Sequence, residues 1–305
     1  MPQWKFLMGG AAGLSAAVLA LSQVGANAHG GNEHHGNHVP STQAVAAAPG
    51  GVFLLASDLK GANEVPGPGD PDGSGRVTVR IQGNVVCFTL EWSKLSTVTA
   101  AHIHVGAAGV GGGVRVGFFN GALADSFTAV NGCVTGDQAV IDAIVADPAG
   151  YYANIHTTEY PAGAIRSQLR ALDTAVDLLR PFRGPKVALM DGMQEVPALG
   201  DLDGRAVGFV TLGSTRVSWA FTWSAIGPPA AGHIHTGKVG VPGPVVVGLF
   251  AAAAPIPASI QAAAGMVPSQ GAVTNPIRRN PQNYYLNLHN ADFPAGAVRG
   301  QLFNA

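Results

Sequence analysis

Two histidines stand one residue apart in Ala101-His102-Ile103-His104, and a third, His156, follows about fifty residues later in Tyr151-Tyr152-Ala153-Asn154-Ile155-His156. On a β-strand, residues i and i+2 leave the same face, so His102 and His104 project together while Ile103 points the other way. If the strand carrying His156 lies beside them, three imidazoles converge. Three neutral imidazoles around an open position suit copper or zinc. The ligand is the neutral ring, so binding is expected to weaken as the site protonates below about pH 6.5. The competing use of the same residues is an internal network in which the rings bond to one another or to backbone carbonyls.

The arrangement occurs twice. Gly232-His233-Ile234-His235 and Tyr284-Tyr285-Leu286-Asn287-Leu288-His289 repeat it, 131 and 133 residues further on. A period of that length exceeds the ~20–50 residues of solenoid repeats and matches one domain. The expected organisation is two tandem domains, 51–171 and 186–305, joined by a linker at 172–185. The repeat also keeps Glu64 and Glu195 in a shared Glu-Val-Pro, and Arg166 and Arg299 in Pro-Ala-Gly-Ala-Ile/Val-Arg. These four are expected to support the histidines, with each Arg paired to its Glu because an isolated internal guanidinium is costly. The glutamates are expected at strand starts, since the following proline marks a boundary. Gly106, Gly109, Gly237 and Gly240 would supply left-handed turns beside the histidine pairs. Asp70-Pro71-Asp72-Gly73 and Asp201-Leu202-Asp203-Gly204 read as turns, because no acid completes a calcium loop.

The elements needed to hold these residues read as short strands. Glycine (42) and proline (21) are frequent and only 11% of residues are charged, which favours many turns over helical bundles. Arg76–Gln82 alternates polar and apolar residues, and Val85–Trp92 follows across Gly83-Asn84 as a hairpin. Ala206–Leu212 and Arg216–Trp223 repeat this pair. Val114–Phe119 and Val245–Phe250 read as buried strands, Asp142–Gly150 as a short helix ending at Pro148, and Ala164–Arg170 and Ala297–Phe303 as closing strands. The expected fold is all-β, two antiparallel Greek-key sandwiches or barrels, superoxide-dismutase-like or immunoglobulin-like.

Residues 1–28 read as a secretory signal: Lys5 precedes an apolar run, and Ala26-Asn27-Ala28 fits small-x-small cleavage. The run is too short and glycine-rich for a membrane span, so none is expected in the mature chain. Residues 29–50 read as a disordered arm, in which His29, His34, His35 and His38 form a possible second metal-binding tract. Export to the periplasm, cell envelope or medium makes a Cys87–Cys133 disulfide the expected state of the two cysteines. A formal net charge of −1 without a basic stripe argues against nucleic acid.

Glu-Val-Pro, Ala/Gly-His-Ile-His-x-Gly-x-x-Gly, Tyr-Tyr-x-Asn-x-His and Tyr/Phe-Pro-Ala-Gly-Ala-Ile/Val-Arg-x-Gln-Leu occur in this order in both halves. Together they resemble the CHRD domain, first named from chordin, over nearly all of 52–171 and 186–303. In chordin that family implies an extracellular role associated with growth-factor signalling, which does not transfer to this architecture. A weaker likeness, to Cu,Zn superoxide dismutase, lies in a histidine pair on a Greek-key barrel with a later histidine and arginine. The fourth copper histidine and the zinc-loop cluster of that family are missing. The sequence therefore points to an exported binder of copper or zinc with no assigned catalytic residue. The alternatives are a structural, adhesive or protein-binding module of the cell envelope, and a redox enzyme of dismutase type.

Overall fold

The structure is a computed structural model and describes residues 51–305. The signal-like segment and His29, His34, His35 and His38 lie outside the described residues.

The first copy contains β1 (Val52–Lys60), β2 (Ser74–Gln82), β3 (Val85–Ser93), β4 (Val98–Val105), β5 (Val114–Asn120), β6 (Phe127–Thr135), helix α1 (Gln138–Ala146), β7 (Tyr151–Thr157), β8 (Ile165–Gln168) and β9 (Arg170–Leu172). The second repeats it with β10 (Lys186–Asp191), β11 (Arg205–Leu212), β12 (Arg216–Ser224), β13 (Ala231–Thr236), β14 (Val245–Ala251), β15 (Ile260–Pro268), α2 (Gly271–Arg279), β16 (Tyr284–His289), β17 (Val298–Gln301) and β18 (Phe303–Asn304). Alternation in β2 sends Val77, Val79 and Ile81 inward, and Gly83 turns the chain into β3 at φ +58°.

Every ladder is antiparallel. In the first copy the strands pair in the order β6–β3–β2–β1–β8–β7–β4–β5. The second pairs as β15–β12–β11–β10–β17–β16–β13–β14. After the β4–β5 hairpin the chain crosses to lay β6 against β3 and returns to lay β7 against β4, a Greek-key connection. The ladder curls until β5 lies near β6. Leu54, Phe88, Ile103, Phe118, Ile155 and their counterparts fill the interior.

The copies are not separated by a free linker. β6 pairs with β15, placing Val130 opposite Ala263 and Ala129 opposite Ala264, so one sheet runs through both. Phe127 of the first copy sits 5.3 Å from the rings of both Trp219 and Phe250 in the second. The connecting segment crosses this junction: Phe182 is buried against Ala129, Ala220, Ala262 and Ala264, and Leu178 O accepts from Thr89 Oγ1 at 2.7 Å.

Three sequence expectations are corrected. β5 and β14 are edge strands, not buried ones, because each pairs on one side only; Val114 and Val245 are both 48% exposed. The expected helix begins at Gln138, since Asp137 caps it by accepting from Val140 N, and Pro148 opens a separate 3-10 turn. Glu64 and Glu195 each follow a 3-10 turn in the loop after the copy's first strand, so neither starts a strand. Helix α2 contains Pro276, which hid it in the sequence. Cys87 and Cys133 are directly opposed across β3 and β6 and form the disulfide. In the second copy the opposed pair is Ser218 and Met266.

Phe127→Ala is expected to lower the unfolding free energy in urea by about 3–5 kcal/mol, as for a large core aromatic. Replacing both cysteines by serine is expected to cost about 4 kcal/mol in the same measurement, from the entropy of opening a loop with a sequence separation of 46.

Candidate metal centre

The inner face of β4, β7 and β8 carries Ile103, Ala153, Ile155 and Ile165, all fully buried in the core. Cross-strand partners share a face, so the opposite face is set by the same register. On it, His102 stands opposite Asn154, which stands opposite Arg166. The next row is His104, Tyr152 and Gln168, and Ala100 pairs with His156. The second copy has His233–Asn287–Arg299, His235–Tyr285–Gln301 and Ala231–His289 in the same rows. The β4–β5 and β13–β14 registers shift immediately before each histidine of the His-x-His pairs. Such bulges re-aim side chains next to a site.

This register brings the three imidazoles of each copy together. One ring nitrogen from each of His102, His104 and His156 lies within 4.8 Å of the others, and His233, His235 and His289 do the same. The outer nitrogens fix the tautomers of two rings per copy. His104 Nδ1 bonds to Gly112 O at 2.9 Å and His156 Nδ1 to Pro161 O at 3.1 Å. His235 Nδ1 bonds to Gly243 O at 2.9 Å and His289 Nδ1 to Pro294 O at 3.1 Å. A carbonyl only accepts, so each Nδ1 carries the proton and each Nε2 presents a lone pair. In the second copy His233 Nδ1, His235 Nε2 and His289 Nε2 are all buried without a hydrogen-bond partner. The first copy is more tightly closed: His102 Nδ1 lies 3.1 Å from His156 Nε2, and only His104 Nε2 is left without a partner.

The surrounding residues hold the roof of the site. The Tyr152 ring stacks on His104 at 4.9 Å between centroids, and the Arg166 guanidinium lies 3.3 Å from the centroid of the same Tyr152 ring. Arg166 Nη2 donates to Ala107 O at 3.0 Å and Val110 O at 2.7 Å, and Gln168 Nε2 to Gly106 O at 2.9 Å. Tyr285, Arg299 and Gln301 repeat this against Lys238 O, Val241 O and Gly237 O. The loop allows no side chain at Gly112, where a Cβ would fall 1.8 Å from Val105 O. Gly106, Gly109, Gly237 and Gly240 all have positive φ, as their place beside the histidines requires. Asp70 is a turn residue: its Oδ1 accepts from Asp72 N and Gly73 N at 3.1 and 2.8 Å.

The expected Arg–Glu ion pairs do not form. Among the described residues the ion pairs are Lys94–Asp72 and Arg183–Asp177. Arg166 is held instead by the tyrosine and the loop carbonyls. Glu64 and Glu195 pack over Gly163 and Gly296, where a Cβ would come within 2.6 Å of either carboxyl group. Asn287 Nδ2 donates to Glu195 Oε2 at 3.3 Å. Burial raises both glutamates to about 7, against the opposing pull of Arg166 or Arg299 and the asparagine. Burial, with repulsion from neighbouring imidazoles, lowers His102 and His233 to about 4. Burial also lowers His104, His156, His235 and His289. Tyr152, Asn154 and Gln168, with Tyr285, Asn287 and Gln301, were not singled out in the sequence as site residues. Their signal was their identity in both copies at fixed distance from His156 and His289.

Fold and geometry define a class: an all-β, tandem Greek-key protein with a histidine triad on the outer sheet face of each half. The CHRD domain profile matches residues 55–169 and 187–302, and the chain belongs to the CHRD domain family. No curated protein matches it.

The titrations oppose one another. Lowered histidines leave the unfolded chain with more bound protons between about pH 4 and 6.5, so stability rises with pH in that window. Raised glutamates leave the folded chain with more protons between about 4.5 and 7, so their contribution falls with pH there. Metal-free protein is expected to gain stability from pH 4 to 6.5, because six histidines act against two carboxyls. In urea unfolding with chelator present, Glu64→Gln with Glu195→Gln is expected to steepen that rise and to remove any fall between pH 6.5 and 7.

Proposed function

We propose that the protein is an exported metal-binding chain, with copies at 51–171 and 186–305 that each hold copper or zinc through His102, His104 and His156 or His233, His235 and His289. The reading is one of binding and handling rather than turnover. The observation that carries it is the second triad, whose three inward nitrogens are buried and unpartnered while carbonyls hold the protons of His235 and His289 on the far side. Lone pairs facing one another at short range repel, and a shared cation removes that cost. Outer N–H groups bonded to carbonyls are also the usual support of a metal-ligating histidine. Arg166, Arg299, Glu64 and Glu195 would then act from behind the ligands, the arginines by holding the loop and the glutamates by adjusting local charge. The disulfide is in keeping with an oxidising compartment, and no helix among the described residues is long and apolar enough to cross a membrane.

A second reading has its own observation. The 3.1 Å contact between His102 and His156 is what a purely structural hydrogen-bond network would use. Metal analysis of untagged full-length protein, exposed to Cu(II) or Zn(II) and then desalted, separates the two. The expected result is that His102→Ala with His233→Ala loses two metal equivalents per chain. Equal uptake by the variant places the metal elsewhere, and no uptake of either metal leaves the structural network.

A further inference from the structure

β6 and β15 run antiparallel, so the copies meet in an approximate two-fold relation, and the segment before each strand enters the seam of the other copy. On one side the seam is closed. Ser259 Oγ, from the second copy, donates to Phe118 O on edge strand β5 at 2.7 Å. By the repeat, Ser126 corresponds to Ser259 and Leu249 to Phe118. The matching bond is absent: Ser126 Oγ is buried without a partner. A cleft of about 370 Å³ opens there instead, lined by Asp125 and Ser126 of the first copy and by His233, Gly248, Leu249 and Phe250 of the second. The space beside Gly248 is empty out to 4 Å, whereas the corresponding position on Gly117 meets His102 Cδ2 at 3.8 Å.

This cleft reaches the outer edge of one ligand. His233 Nδ1 is buried without a partner, and its counterpart His102 turns Nδ1 to His156 Nε2 within the first triad, so Nε2 is read as the outer atom of His233. The other two imidazoles of that triad have carbonyl acceptors for their outer N–H groups, and His233 has none among the described residues. Asp125 Oδ1 accepts from Thr97 Oγ1 at 2.6 Å, which orients the carboxylate and leaves Oδ2 available. The counterpart of Asp125 in the second copy is Ala258, so the first triad has no equivalent carboxylate. We propose that the two triads are inequivalent and that Asp125 of the first copy is a positioning residue for the second, accepting from His233 Nε2–H directly or through one water. A carboxylate behind a ligating imidazole makes it a stronger donor and fixes its orientation.

The inference rests on the metal-binding reading. Its test uses the full chain with His29, His34, His35 and His38 replaced by alanine, so that copper on the arm does not contribute. Cu(II) affinity is measured by chelator competition, and the Cu(II) EPR spectrum is recorded. The second site is read in a His102→Ala background and the first in a His233→Ala background. Asp125→Asn is expected to weaken the second site about tenfold or more and to change its EPR parameters, with the first site unaltered. Asp125→Ala should do the same, and an unchanged melting temperature in either variant keeps the effect local. If both variants leave second-site affinity and spectrum unchanged, Asp125 has no such role and the metal reading stands. If the unsubstituted triads take up no copper, both ideas fall.

Discussion

Everything at either site depends on the register of three short strands. A slip of one residue between β4 and β7 would exchange Ile103 for His102 in the core, because side chains alternate strictly along a strand. Ile103, Ile155 and Ile165 prevent this, each contributing roughly 1.5–3 kcal/mol by burial. The same packing on β13, β16 and β17 uses Ile234, Leu286, Leu288 and Val298. The apolar face thus decides where the imidazoles go, and the histidines do not have to specify their own position.

The opposite face is costly. Arg166 and Arg299 are 1% and 2% exposed, and Asn154 and Asn287 are 2% and 3% exposed. In each copy one glutamate oxygen, one asparagine oxygen, one arginine nitrogen and the inner nitrogen of the second histidine are buried without a partner. An unsatisfied buried polar atom costs about 1–3 kcal/mol, so this face opposes folding unless something else compensates. The stacked order of imidazole, phenol and guanidinium recovers part of that through cation–π attraction. Breaking local rules at the same atoms in both copies is the pattern expected of a functional face rather than of imperfect packing.

Much of this was legible because the chain repeats. The His-x-His pair, the later histidine and the two-residue alternation of Arg76–Gln82 sufficed for strands, hairpin and triad. The Arg–Glu pairing failed for a physical reason. Opposite charge is visible in sequence, but Tyr152 and two backbone carbonyls compete for the same guanidinium and are visible only in space. The edge position of β5 was hidden likewise: Val114–Phe119 is as apolar as a central strand, and exposure depends on which neighbours the Greek-key crossing supplies. Nothing in the linker's composition indicated that Phe182 would seal the junction between the copies.

That junction sets how far the repeat can remain a repeat. Antiparallel pairing of β6 with β15 would make two identical halves equivalent, yet one chain enters the first half and leaves through the second. The staple lies on one side, since Cys87 and Cys133 tie β6 to β3 while Ser218 and Met266 leave β15 paired to β12 without a covalent link. Cys133 N also donates to Ser259 O at 3.2 Å, so the tied strand is the one that seats the segment closing the first seam. The halves agree in the face that carries the histidines and differ where they touch. The imidazole rows carry the same residues but not the same contacts, since His102 Nδ1 meets His156 Nε2 at 3.1 Å while His233 Nδ1 has no partner, so a difference at the junction acts on triads that already differ in ring contact.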